Sequence, residues 1–472
     1  MASVTDVSRI LLDQRLHSPG PERSPVFTHL LTSLCLAAGA AAPRNVVLFV
    51  ADGAGFQHYE AARLQEADPT GLQVYDGWPV RLAMCTPPAG GTYDPEQMWR
   101  DPAWCDRDLT DSAAAITAMT TGVKTVNGRL AVDPRGDPLV TLAQAMAAAD
   151  KSTGVVTTVP FVHATPAGFA VSCQDRGAYL EIARLMLGGK LDVVMGAGHP
   201  WHDDDGRRCD VADYCRVGGA ATWDSLVAGS LGAAGEGPWS LITARGQFQA
   251  LASGAAPRRV VGVPPVRETL QAQRGGDPLA APFAVPRNED VPTLAEMARA
   301  ALNVLDADPD GFCLLIEGGA VDWASHDGRA GRMIEEMTDF NRAVEAVMAG
   351  LDERGLLGET LVVVTADHEC GHLAGPVPTY VFLTGEHTNS LVPLFARGPG
   401  SGSSPPSPTT PIPSADPTST TANSARCSSA PPVRSSVCAA AAPMVPWSRT
   451  RTTAGTTEGP GAGPFRRGSP AS

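Results

Sequence analysis

Residues 45–55 read NVVLFVADGAG, an unbroken apolar run from Val46 to Ala51 that ends on Asp52, with glycine at 53 and 55. A short apolar run without alternation suits a strand buried on both faces, as in a parallel sheet covered by helices. The aspartate then stands at the strand's carboxyl end, and the two glycines admit close approach by other parts of the chain. Taken alone, the Asp-Gly pair also fits an ordinary turn.

Four more runs of the same kind lie downstream: Gly154–Val159, Leu191–Met195, Phe312–Ile316 and Leu361–Thr365. Helical stretches separate them, at Leu139–Ala149, Ala178–Leu187, Thr293–Leu305 and Arg332–Leu351. This alternation predicts an α/β fold with a doubly wound, mostly parallel central sheet and helices on both faces. Ligands of such sheets collect beyond the carboxyl ends of the strands. No repeat of fixed period is present, which sets solenoids and propellers aside. Residues 220–290, rich in Gly, Ala and Pro, are expected to be surface excursions with short helices.

The 472 residues carry 36 Lys and Arg against 50 Asp and Glu, a net charge of −14. An acidic balance argues against nucleic acid as a specific partner, because phosphate backbones need an excess of basic residues. Six Arg, Asp416 and Glu458 are the only charges of residues 401–472, so 30 basic and 48 acidic residues lie upstream. That tail, rich in Pro, Ser, Thr and Ala, buries too little apolar surface to order itself and is expected to be disordered. Its composition also suits GC-rich coding sequence read in a shifted frame, which resequencing the locus would test.

Residues 25–42, PVFTHLLTSLCLAAGAAA, resemble a signal peptide ending in small residues; a buried N-terminal helix is the alternative. The run is too short for a membrane span, so the expectation is export to a periplasmic or extracellular location without a stable membrane anchor. Three regions follow: an N-terminal extension over 1–42, a catalytic domain over 43–400 and the tail over 401–472. In an oxidising compartment the ten cysteines have room to pair. Cys209 with Cys215, and Cys85 with Cys105, are expected as disulfides.

Polar residues cluster where the strands end. FCLLIEGGAVDWASHDGR (312–329) sets Glu317 at a strand end, then Asp322 and His326 four apart; LVVVTADHECGH (361–372) presents Asp367 and His368; TGEHTNSLVPLF (384–395) offers His387. With Asp52 these give three Asp, three His and one Glu. Mixed oxygen and nitrogen donors suit Zn²⁺, and surplus carboxylate suits a harder ion such as Mg²⁺. In LTDSAAAITAMTTGVKTVNGRL (109–130), Ser112 follows Asp111 at a helix start, where free N–H groups favour an anion. The same Asp-Ser pair reads as a plain N-cap. Arg176, in SCQDRGAY (172–179), has the fork that grips two phosphate oxygens. The acidic loop HPWHDDDGRR (199–208) is open to two readings, an extra cation site or a solvated loop.

In these motifs, together with HATPAG (163–168) and GEHTNSLVPLFARG (385–398), the sequence resembles the alkaline phosphatase family. The resemblance implies a phosphomonoester hydrolase with two Zn²⁺ and one Mg²⁺. Asp322, His326 and His387 would hold the first zinc, and Asp52, Asp367 and His368 the second. Asp52, Thr165 and Glu317 would hold the magnesium. Ser112 would be the phosphorylated nucleophile and Arg176 the phosphate clamp, with His163 and Trp323 beside the metals at positions where members vary. Small phosphomonoesters are the expected substrates, and a homodimer is possible by analogy. A phosphodiesterase of the same superfamily, and an inactive phosphate- and metal-binding homologue, are the alternatives. A sulfatase is disfavoured, because TDSAA lacks the Pro and Arg context of its modified nucleophile.

Three departures from the family pattern stand out. Cys370 replaces a histidine beyond the ADH motif, so a hydrogen bond to a zinc-ligand carboxylate is either weakened or supplied by His372. His387 follows His368 by only 19 positions, which leaves little room for the variable crown insertion. After the GPG turn, the usual further strand and helix are not recognisable.

Overall fold

A computed structural model describes residues 42–401 apart from 66–71, 234–236 and 376–378. The signal-peptide-like segment and nearly all of the 401–472 tail lie outside the described residues. Nine strands form one sheet: β1 (Asn45–Ala51), β2 (Val80–Met84), β3 (Ser152–Pro160), β4 (Val193–Ala197), β5 (Ser240–Ile242), β6 (Val260–Gly262), β7 (Phe312–Gly318), β8 (Thr360–Thr365) and β9 (Val392–Arg397). Their order across the sheet is β2-β9-β8-β1-β7-β3-β4-β6-β5. From β8 to β5 every pairing is parallel, while β9 runs antiparallel between β8 and β2.

All five strands expected from apolar runs are present, within two residues at each end. β1 is buried along its whole length. Val47 and Phe49 face one core layer, and Leu48 and Val50 the other. The first layer is covered by helices α1 (Phe56–Gln65), α5 (Leu294–Leu305) and α7 (Ala330–Glu353); Phe340 of α7 meets Phe49 edge to face, with ring centroids 6.0 Å apart. The second is covered by α2 (Ser112–Thr121), α3 (Ala164–Ala170) and α4 (Tyr179–Gly188). Helices on both faces make the sheet doubly wound, and continuous apolar strands are what that arrangement demands.

Residues 220–290 differ from expectation. They supply β5 and β6, which extend the parallel sheet, and Trp239, Val260 and Val261 are buried. Each strand is three residues long, too short to leave a periodic signal in a Gly- and Ala-rich background.

Parallel register fixes the level of the strand ends. Val50 pairs with Thr365 on one side and Glu317 on the other, and Glu317 also pairs with Thr157 of β3. Asp52, Glu317 and Asp367 therefore emerge at one height on neighbouring strands.

Candidate metal centre

At that level the sheet's carboxyl edge carries a dense group of buried acids and imidazoles. His368 Nε2 lies 3.3 Å from Asp367 Oδ2, 3.5 Å from Asp52 Oδ1 and 3.2 Å from Ser112 Oγ. A short helix, α6 (Ala320–His326), follows β7 and presents Asp322 and His326 four residues apart, on one face. The Asp322 carboxylate reaches His326 Nε2 and His387 Nε2, each at 3.4 Å, and the two imidazole nitrogens are 3.1 Å apart. His326 Nδ1 and His387 Nδ1 face the backbone oxygens of Gly385 and Thr110, at 2.6 and 2.8 Å. Such backbone contacts fix a ring so that its other nitrogen points inward.

Two donor groups result, Asp322 with His326 and His387, and Asp52 with Asp322 and His368, each compact enough for a metal ion. Asp367 stands against the second. Thr165 sits in the first turn of α3, whose N-cap is His163, and Thr157 donates to Glu317 Oε2. His163 and Trp323 meet edge to face at 5.2 Å.

Electrostatics test whether divalent ions fit. Burial, then repulsion from Asp367, Asp322 and Glu317, pushes Asp52 well above the usual carboxylate range. Burial pushes Glu317 up to about 7 against the Thr157 hydrogen bond, and burial with Asp322 pushes Asp367 up to about 6. Packed carboxylates of this kind cannot all ionise without compensating positive charge. Both oxygens of Asp52, Oδ2 of Asp367, Oε1 of Glu317 and Oγ1 of Thr165 are buried without a hydrogen-bond partner. Such orphaned acceptors are costly unless a cation takes the place of the missing donors. The residues fit hard and borderline divalent metals.

Ser112 opens α2, and its N-cap Asp111 accepts the Ala114 N–H through Oδ1 at 2.8 Å. Asp111 Oδ2 accepts from Arg176 at 3.0 Å and from the Gly128 N–H at 2.8 Å. Ser112, Arg176, His163, Asp322, His326 and His387 line one cleft of about 540 Å³. Asn127, Gln273, Asp327 and Glu386 also line it; they stand in turns and bends, where a single polar residue gives no sign of its role. Thr157 gives no such sign either, since a threonine inside a strand is ordinary.

Several expectations are corrected. Cys209 and Cys215 are free thiols, and their sulfurs face Arg267 and Arg216, each at 3.1 Å. Cys105 is also free, with Sγ 3.4 Å from His372 Nδ1 instead of bonded to Cys85. His372, in a left-handed turn with φ 46°, thus points to Cys105 and supplies no bond to a ligand carboxylate. In the acidic loop, Asp203 Oδ1 accepts the N–H groups of Asp205 and Arg207, Asp204 Oδ1 those of Glu268 and Thr269, and Asp205 Oδ1 that of Gly275. Asp203 thus holds the loop together, while Asp204 and Asp205 tie it to residues 268–275.

Fold and site define a class: doubly wound α/β proteins whose strand ends gather carboxylates and imidazoles suited to divalent metals beside a helix-start serine. Within that class the chain belongs to the alkaline phosphatase family, whose profile matches residues 43–200 and 277–396. Alkaline phosphatase 3 of Bacillus subtilis is 29% identical over 335 residues, 70% of this chain and 61% of the relative, so this chain spans about three fifths of that protein's length. Streptomycin-6-phosphate phosphatase of Streptomyces griseus is 30% identical over 425 residues, 76% of this chain and 86% of the relative. Among solved structures, alkaline phosphatase from the Antarctic bacterium TAB5 superposes with TM-score 0.54 at 25% identity, covering 76% of this chain and 92% of that one.

Proposed function

We propose that this chain is a phosphomonoester hydrolase that works through a phosphoserine at Ser112, with residues 43–400 as the functional unit. The reading rests above all on the buried, hydrogen-bond-deficient carboxylates of Asp52, Glu317 and Asp367 at one level of the sheet, where Ser112 Oγ lies 3.2 Å from His368 Nε2. Asp322, His326 and His387 would hold one zinc, Asp52, Asp367 and His368 a second, and Asp52, Thr165 and Glu317 a magnesium. Bound divalent ions supply Lewis acidity, lowering the pKa of the serine hydroxyl and neutralising phosphoryl charge.

The chain's own groups do the rest. Ser112 Oγ attacks phosphorus, the P–O bond to the leaving alcohol breaks, and the serine's proton is balanced by protonation of the departing alkoxide. Arg176 and the amide groups at the start of α2 hold the equatorial oxygens. Asp111 keeps Arg176 directed at the cleft. Water then attacks the phosphoseryl group, releasing inorganic phosphate and restoring the hydroxyl. Among the described residues no helix is long and apolar enough to cross a membrane, and we assign export to the 25–42 segment.

The test is p-nitrophenyl phosphate hydrolysis by the full chain and by Ser112→Ala, with zinc content measured on both. Loss of turnover with metal content retained is expected. Full activity in Ser112→Ala would remove the nucleophile.

A further inference from the structure

The Asp322, His326 and His387 group has a fourth member that the mechanism does not use. Cys370 Sγ belongs to the same compact set, its four donor atoms all within 4.8 Å of one another. Two independent backbone rules bring them there. Residues 369–370 and 387–388 form a two-residue antiparallel ribbon in which Cys370 lies directly opposite His387, so both side chains leave the same face. Asp322 and His326 share a helix face by their spacing of four.

The cysteine's place is fixed from behind as well. Its N–H donates to Gly53 O at 2.9 Å. A Cβ on Gly53 would stand 2.9 Å from Cys370 Cβ and 2.8 Å from Asp322 Oδ1, so only glycine lets these two side chains meet. Cys370 is fully buried. Among the described residues its sulfur has one weak polar contact, to the Asp322 backbone oxygen at 3.8 Å, which leaves its coordinating capacity unspent.

We propose that Cys370 Sγ is a further protein ligand of the ion held by Asp322, His326 and His387, making this a thiolate-bearing, soft-metal position. The inference rests on the reading that this cluster holds a divalent ion. On binding, the thiol proton leaves to solvent and a metal–sulfur bond forms. A thiolate beside two imidazoles and one carboxylate favours zinc, cobalt and cadmium over magnesium and manganese. This four-residue position would then be more selective than the all-oxygen group around Glu317.

The experiment replaces the metal of the full-length protein with Co²⁺ and records bound cobalt, d–d absorption and the near-ultraviolet thiolate-to-cobalt charge-transfer band. The wild type and a Cys105→Ser control should show the band. Cys370→Ser and Cys370→Ala should bind cobalt more weakly and lack it. Cobalt bound by the wild type without the band, or a band that survives in both Cys370 variants, would overturn the ligand assignment alone. No cobalt bound by the wild type would overturn the metal reading and this inference together. Should the variants fail to fold, X-ray absorption of the zinc-loaded wild type decides, since a sulfur neighbour at about 2.3 Å is required.

Discussion

The Asp111 carboxylate and the Arg176 guanidinium meet at 3.0 Å, and the same carboxylate caps the helix that begins with Ser112. One side chain therefore orients both the hydroxyl proposed as nucleophile and the cation proposed to grip its target. Asp111→Asn keeps a good N-cap, because asparagine caps as well as aspartate, yet it removes the ionic partner of Arg176. Thermal stability should stay near the wild type while KM for p-nitrophenyl phosphate rises several-fold. Asp111→Ala should in addition lose about 1 kcal/mol of stability through the missing cap. Equal melting temperatures for Asp111→Ala and wild type would show that the cap is not what steadies α2.

Gly53 holds φ at +73° between Asp322 and Cys370. An alanine there meets a backbone conformation strained for any side chain and three contacts under 3.0 Å, two to Asp322 and one to Cys370. Gly53→Ala should cost about 1–3 kcal/mol from strain and lower the zinc content, since Asp322 has to move. Metal analysis and urea denaturation read the two effects separately. Retention of full zinc content would mean that the cluster tolerates a displaced Asp322.

Removing metal should uncover the repulsion among Asp52, Glu317, Asp322 and Asp367. Dialysis against a chelator should lower the melting temperature, and zinc, with magnesium, should restore it. A ligand at 100 times its Kd adds about 2.7 kcal/mol by mass action, so the shift should be several degrees and grow with free zinc. A melting curve indifferent to chelation and to added zinc would contradict the metal assignment.

The five central strands and most of the site were legible because their physics is local. Val46–Ala51 and Leu361–Val364 are apolar throughout, as a strand covered on both faces has to be, and each run is followed within three residues by an aspartate. Asp322 and His326 announced one helix face by spacing alone. The doubling of short strands at Ser240–Ile242 and Val260–Gly262 was not legible, because each borrows its order from a neighbouring strand. Spacing also misled for cysteine. Cys209 and Cys215 enclose a plausible loop, but Arg267 and Arg216 occupy the space before each sulfur. The ribbon that pairs Cys370 with His387 joins residues whose sequences contain no strand signal at all.

Glu336, in the middle of α7, is buried, with the acids Asp339 and Glu335 and the cations Arg287 and Arg274 within electrostatic reach. Burial, then Asp339, pushes its carboxyl up to about 8 against the pull of Arg287. Between the unfolded value of 4.5 and about 8, the folded chain keeps a proton that the unfolded chain has released. Its contribution to stability is thus greatest at the acid end of that window and falls as pH rises through it. One such proton is worth at most about 1.4 kcal/mol per pH unit. Glu336→Gln has nearly the same shape and no proton to lose. In urea denaturation of the zinc-saturated proteins, the variant should therefore gain on the wild type between pH 5 and pH 8, by about 1–3 kcal/mol across the interval. A stability difference that is the same at both pH values would show that Glu336 is ionised in the folded chain, with Arg287 drawn close enough to hold the charge.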